Sequence, residues 1–220
     1  MGALGSRACC SGREGKGPEV MRVLSQKWKP GMASAVKRVQ NELVKYFSSG
    51  EVEGLLDFVL FNPTPEHLIV LFIFHSEELL EAYKVAFKER FLELLKPVLH
   101  GPPLFDEQCP VWHRASHGRI VAGKHIIRVF LYRCKPGKAE EAVLALWDVF
   151  DSFARSWVCV VLGIPSPDFF LSVMIFQSVE AIEEYKTGAG KVLLAKLGHL
   201  LAGPAISDHT GVSLAAKESP

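Results

Sequence analysis

The chain has no apolar run long enough to cross a membrane as a helix. Its longest ones, at 68–74 (LIVLFIF), 157–164 and 169–176, fall far below the ~18 residues such a span needs. They have the length of buried strands. The first twenty residues hold no apolar central region, so no secretory signal is expected. Cysteines are few: Cys9, Cys10, Cys109, Cys134 and Cys159. They are odd in number, form no C-x-x-C and, after the first pair, lie far apart. That argues against a disulfide framework and suits a reducing compartment, with Cys134 and Cys159 as small apolar residues inside strands. No charge sign dominates: 25 basic residues face 24 acidic ones, and no basic stripe stands out, so no nucleic-acid partner is expected. Also missing are a Gly-rich phosphate loop, a nucleophile elbow and a zinc signature. No metal or cofactor is expected.

What is present begins with MGALGSRACC. Removal of Met1 would expose Gly2, and Ser6 sits where the N-myristoylation pattern M-G-x-x-x-[ST] wants a hydroxyl. One acyl chain binds membranes only marginally, so stable anchoring needs a second signal. Cys9 and Cys10 would supply it by palmitoylation. Arg7, Arg13 and Lys16, against Glu14 and Glu19, add mild attraction to an anionic leaflet. The expected location is the cytoplasmic face of a membrane, held by lipid, and otherwise the cytoplasm. The bland alternative is a Gly-Ala-Gly-Ser start with cysteines by chance.

The rest of the chain repeats itself. Residues 22–31 read RVLSQKWKPG and residues 128–137 read RVFLYRCKPG. Further on, Pro63-x-Pro65 recurs as Pro165-x-Pro167, Tyr83-Lys84 as Tyr185-Lys186, and Gly101-Pro102 as Gly203-Pro204. We read a first unit over 18–114, a linker over 115–121, and a second unit over 122–214. Segments 1–17 and 215–220 are expected to be disordered. Each unit opens with a strand that ends at Lys-Pro-Gly, where Pro presets φ and Gly is free to turn. A helix follows, with apolar residues at Met32, Val36, Val39, Leu43 and Phe47, or Ala142, Leu146, Val149 or Phe150, and Phe153, the helical spacing. Two strands joined by Pro-x-Pro come next. A second helix is capped by Ser76 or Ser178. It is expected to bury Leu79, Tyr83, Phe87, Phe91 and Leu95, or Ile182, Tyr185, Val192 and Leu197. A weaker fourth strand closes the unit. The order β-α-β-β-α-β is the ferredoxin-like arrangement, so the fold class is α+β with two such units on one chain.

A strand ending in Lys-Pro-Gly, a strand pair ending in Phe-x-Ser before an acidic helix start, and the segment FLELLKPVLHGPP together resemble the antibiotic biosynthesis monooxygenase (ABM) domain of the dimeric α/β-barrel superfamily. The stress-responsive A/B-barrel domain is also similar. The resemblance spans nearly everything beyond the first ~18 residues, and its motifs speak for fold before activity. It implies two sheets closing one barrel, here within a single chain and as a monomer. Strands apolar on both faces fit that arrangement. It also implies a range of chemistries: cofactor-free oxygenation of quinols and polyketides, haem degradation, and domains without assigned activity. The haem-degrading type carries an Asn on the first strand and a Trp and His near the second helix. Here the first strands hold no Asn, and YKVAFKERF and YKTGAGKVL hold no His, so haem chemistry is not expected.

The candidate catalytic residues are His75 at a strand end, Asp57 in an apolar strand, and Tyr132. Arg22, Gln26, Trp28 and Arg128 on the first strands are candidates for ligand binding, with the arginines expected inside the barrel. For each, the structural alternative stands beside the functional one: a loop-edge His, a buried ion pair, a core Trp. His113, His117 and His125 read better as loop residues than as metal ligands. Three functions remain open. One is a membrane-tethered module that binds a small apolar ligand or a protein partner. The second is a cofactor-independent monooxygenase acting on a lipophilic, quinol-like substrate. The third is a structural subunit of an assembly.

Overall fold

A computed structural model of the chain describes residues 18–118, 120–152 and 157–216. The first unit contains β1 (Val20–Lys27), α1 (Ala33–Ser48), β2 (Leu55–Thr64), β3 (His67–Phe74), α2 (Glu77–Leu95) and β4 (Phe105–Ser116). The second contains β5 (Ile126–Arg133), α3 (Ala139–Ser152), β6 (Trp157–Ser166), β7 (Phe169–Phe176), α4 (Val179–Thr187), α5 (Ala189–Leu197) and β8 (Ser207–Ala216).

The eight strands close a barrel in the order β1-β3-β2-β8-β5-β7-β6-β4, every neighbour antiparallel. Each unit thus contributes a four-stranded sheet with its first strand inside. The fourth strands make the joins: β8 pairs with β2 of the first unit and β4 with β6 of the second. Closure leaves no exposed edge among these strands. The expectation of two ferredoxin-like units closing one barrel within one chain holds.

The inner strands of each sheet bury two faces, which is why LIVLFIF does not alternate: every residue of β3 is buried, whereas β4 is mostly half-buried. Its even-numbered residues, such as Val70 and Phe72, join the core under α1 and α2. Its odd-numbered ones, Ile69, Leu71 and Ile73, point into the barrel. There they meet Met21, Val59, Ile127, Leu171 and Val173. The barrel is packed with aliphatic side chains, and the second unit has its own core under α3, α4 and α5.

Most local expectations hold. Ser76 and Ser178 accept hydrogen bonds from the amides of Leu79 and Ala181 and cap α2 and α4. Four details differ. The fourth strands are not weak: β4 has 12 residues and β8 has 10, because each pairs with strands from both units. β4 continues through Ala115 and Ser116, which lie opposite Val160 and Cys159. The proline-bearing turn also sits inside the hairpin, with Pro63 absorbed by a register shift between Phe61 and Thr64, a bulge that tolerates a missing donor.

The last difference concerns the second helix of the second unit. It breaks at Gly188 into α4 and α5. Val192 is therefore 47% exposed and Leu193 takes the buried place. The sequence Thr187-Gly-Ala-Gly190 supplies the reason, since glycine interrupts a helix at about 1 kcal/mol per residue relative to alanine. A Cβ at Gly190 would lie only 3.0 Å from the Tyr185 carbonyl oxygen, so glycine lets α5 start close to α4.

Candidate functional site

The helix break opens a hollow of about 240 Å³ between α4–α5 and the outer face of the second sheet. β5 contributes Arg128, Phe130 and Tyr132, alternate residues that share one face of a strand. α4 contributes Tyr185 and Lys186, and α5 contributes Gly190, Leu193, Leu194 and Leu197. The wall is thus aromatic and aliphatic, with a guanidinium, two phenols and an ammonium set into it.

Asp208 of β8 fixes the guanidinium. Arg128 donates from Nε and Nη2 to its two carboxylate oxygens at 2.9 and 2.6 Å, the planar fork that suits arginine. The guanidinium carbon lies 5.3 Å from the Phe130 ring centre and 5.8 Å from that of Tyr185. Burial works against its charge, but the Asp208 hydrogen bonds and charge outweigh burial and raise its pKa. Burial pushes the Tyr185 phenol up to about 12 and raises Tyr132 as well. Both phenols therefore stay protonated at neutral pH and can donate hydrogen bonds.

The first unit repeats the polar frame and fills the space. Arg22 makes the same fork to Asp106, both contacts at 2.6 Å. Tyr83 and Lys84 stand where the second unit has Tyr185 and Lys186. In continuous α2, however, Phe87 and Phe91 take the places of Ala189 and Leu193. Phe87 stacks on Phe91 at 4.9 Å and on Phe47 at 6.0 Å, with Tyr83 5.4 Å away. The second unit has lost both rings and gained two glycines.

The other candidates fall elsewhere. Arg22 and Arg128 face the helix layer and not the barrel interior, because their even-numbered neighbours on β1 and β5 form the outer face. Gln26 is buried and donates to the Gly101 carbonyl. Trp28 is core, 2% exposed, with its indole nitrogen unpartnered. Asp57 accepts from Arg114 at 2.8 Å, a contact that reaches across one barrel mouth from β2 to β4. His75 stands at the end of β3, where its amide donates to the Gly54 carbonyl. His113 and His117 lie on and just after an extended strand, packed at a tilt against Trp147 and Trp157, and share no helical face. Among the described residues no group of three His, Cys, Asp or Glu forms a metal site. Burial raises the Cys109, Cys134 and Cys159 thiols to about 12, 11 and 12, so they pack as apolar groups. Gly2, Cys9 and Cys10 lie outside the described residues, as does Phe153.

Sequence reasoning missed the second barrel mouth. There the Ser25 hydroxyl and His67 Nε2 lie 2.6 Å apart, buried, and the His209 ring packs edge-on against His67 at 4.8 Å. A Ser–His pair invites a nucleophile reading, but Ser25 is fully buried among the side chains that pack the barrel. The hollow itself had one legible signal, the paired glycines where the first repeat has Ala86 and Lys88.

Solved structures support the fold. A monooxygenase candidate from Fusobacterium nucleatum superposes with a TM-score of 0.78 at 10% identity, over 92% of this chain and 95% of its own. An anthrone oxidase-like protein gives 0.65 at 18% identity, over 93% and 94%. A ferredoxin-fold protein from Listeria monocytogenes related to antibiotic biosynthesis monooxygenases gives 0.53 at 8%, over 93% and 97%. The fold is that of the ABM-like α/β barrels. No family model and no curated protein sequence matches this chain, so the likeness rests on backbone architecture.

Proposed function

We propose that the chain is a membrane-tethered ABM-fold binding protein that takes one small, flat, mainly apolar ligand in its second unit. The observation that carries this reading is the hollow beside Arg128, Tyr132 and Tyr185, at positions where the first unit is filled by Phe87 and Phe91. Its volume is just below the roughly 300 Å³ at which drug-sized sites begin, so one or two rings suit it. Aromatic walls would stack on the ligand's faces. The phenols and Lys186 would bind polar substituents at its edge. The tether would be acyl chains on Gly2 and on Cys9 and Cys10, which would hold the protein at the cytoplasmic face of a membrane, where lipophilic ligands concentrate.

The test is native mass spectrometry of the full chain made in eukaryotic cells, repeated after denaturation. Mass that persists reports acylation. Mass that leaves reports a ligand, and Leu193→Phe, which puts the first unit's Phe91 ring into the wall of the hollow, should abolish it. An adduct retained by Leu193→Phe, or none in the wild type, refutes the pocket reading.

A second reading is a cofactor-independent monooxygenase acting on a quinol-like substrate. Two observations favour it: the monooxygenase and anthrone oxidase-like names of the structural neighbours, and protonated phenols placed to hydrogen-bond a substrate oxygen. Oxygen uptake on adding an anthrone or quinol, lost in Leu193→Phe, would move the assignment to this reading.

A further inference from the structure

In an antiparallel barrel, strands four places apart run the same way, so β1 and β5 end at the same mouth. Around it gather the Lys-Pro-Gly turns, the two hairpin tips and the loops leading into β4 and β8. Backbone bonds tie these pieces together: the amides of His100 and Leu104 donate to Lys27 and Ser25, and those of Ala202 and Ile206 to Arg133 and Leu131. Segments 27–31, 64–66, 96–104, 133–138, 166–168 and 196–206 carry seven basic residues against two acidic ones. The basic set is Lys27, Lys29, Lys96, Arg133, Lys135, Lys138 and Lys196; the acids are Glu66 and Asp168. All seven basic residues are exposed. Among the described residues, only Lys138 of these is held in an ion pair, with Glu141 of α3, beside which stands Glu140. Asp168 accepts the Gly137 amide. At this same end Leu104 and Ile206, equivalent positions of the two units, are 51% and 57% exposed. The opposite end carries Glu19, Glu51, Glu53, Glu77, Glu78 and Glu180 against Lys45, Arg114 and Lys124. The charge is therefore polarised along the barrel axis.

We infer that this turn-bearing end docks on an anionic lipid surface, with Leu104 and Ile206 entering the interface and the lysines and Arg133 lying over the headgroups. Charge complementarity selects an anionic partner. The paired aliphatic tips select a bilayer, since an exposed apolar group has a place at a lipid interface and none on a phosphate backbone. Each basic residue near such a surface is worth about fivefold in partitioning. β1 starts at the other end, yet sixteen residues can reach about 55 Å while an eight-residue strand rises about 26 Å. A tether at Gly2 is therefore compatible with this orientation.

The test uses the full chain with Gly2→Ala, Cys9→Ser and Cys10→Ser, so that acylation plays no part and its absence in cells would leave the result standing. Sedimentation with vesicles of phosphatidylcholine, with or without phosphatidylserine, should show at least about tenfold stronger binding when the serine lipid is present. Lys27→Glu, Arg133→Glu and Lys135→Glu together should remove that preference. Leu104→Ser with Ile206→Ser should weaken binding several-fold and make it more sensitive to salt. Glu51→Lys with Glu53→Lys, at the far end, should not weaken it. Unchanged melting temperatures establish that the variants fold. Equal binding to both vesicles, an unaffected charge-reversed variant, or equally tight binding of a short DNA duplex would overturn the inference.

Discussion

Leu171→Ala and Leu193→Ala delete the same three carbons in two places that differ in one respect. Leu171 is fully buried at the centre of the barrel, and Leu193, 5% exposed, is part of the wall of the hollow. Loss of three carbons from an apolar environment costs about 2.4 kcal/mol. In the barrel the packed neighbours cannot follow, so a cavity of roughly 80 Å³ adds about 2 kcal/mol at about 24 cal/mol per Å³. Leu171→Ala should then cost about 4 kcal/mol. Leu193 already faces empty space, so its truncation enlarges a hollow and forfeits few further contacts; about 2 kcal/mol is expected. For a chain of this length each kcal/mol moves the melting temperature by about 2–4 °C. The drops should be about 8–16 °C and about 4–8 °C. Urea unfolding followed by tryptophan fluorescence measures both, with an unchanged m-value as the check that only stability moved. Equal costs, or a cost near 1 kcal/mol at Leu171, would mean that the barrel is loosely filled and that the hollow is not the distinguishing space.

Gly163→Ala tests the same packing from the other direction: a Cβ there would collide with the Met21 methyl and the Cys109 sulfur. Overpacking of this kind should cost about 1–3 kcal/mol by urea unfolding. The Asp57–Arg114 pair is only partly buried, its side chains 12% and 28% exposed, so a double-mutant cycle of Asp57→Asn and Arg114→Met should give a coupling of about 1–2 kcal/mol. Burial, His209 and Lys27 lower His67 to about 4, below its unfolded value near 6.5. The unfolded chain then binds more protons between those values, and stability should fall as pH drops from about 6.5 to 4. Urea midpoints should show this, and His67→Gln should flatten the slope; an unchanged slope would refute the assignment to His67.

The repeat made the architecture readable before any coordinates. Lys-Pro-Gly, Pro-x-Pro, the Ser caps and strands apolar on both faces are local or periodic signals, and all of them recur. They fix element order, and a unit with one uncovered sheet face has few ways to close. Less legible were features set by spatial placement. Arg22 and Arg128 sit on apolar strands, and nothing local says which of two buried faces they occupy; the carboxylates of Asp106 and Asp208, about eighty residues away, decide it. Ser25 and His67 meet through the β1–β3 pairing, and His209 joins them only because β8 crosses to β2. The basic end is invisible along the chain because its seven residues come from four separate segments. The Gly188 break was present in the sequence as two glycines, but a helical stripe through Val192 looked equally regular without them.

A duplicated unit solves its folding problem twice, so the places where the copies part carry information. Two such places stand out. At the barrel mouth, Ser25 and His67 of the first unit correspond to Leu131 and Phe169 of the second. There the polar groups satisfy each other and the space is closed, so the exchange is accounted for as packing. Under the second helix the exchange is not compensated. Losing two stacked rings forfeits apolar contact worth a few kcal/mol, and Gly190 within α5 adds about 1 kcal/mol. What the second unit has in return is a hollow, with Arg128, Tyr132 and Tyr185 still held around it. Stability given up at one site, where the same backbone elsewhere shows how to keep it, is the mark of a surface kept open for a ligand.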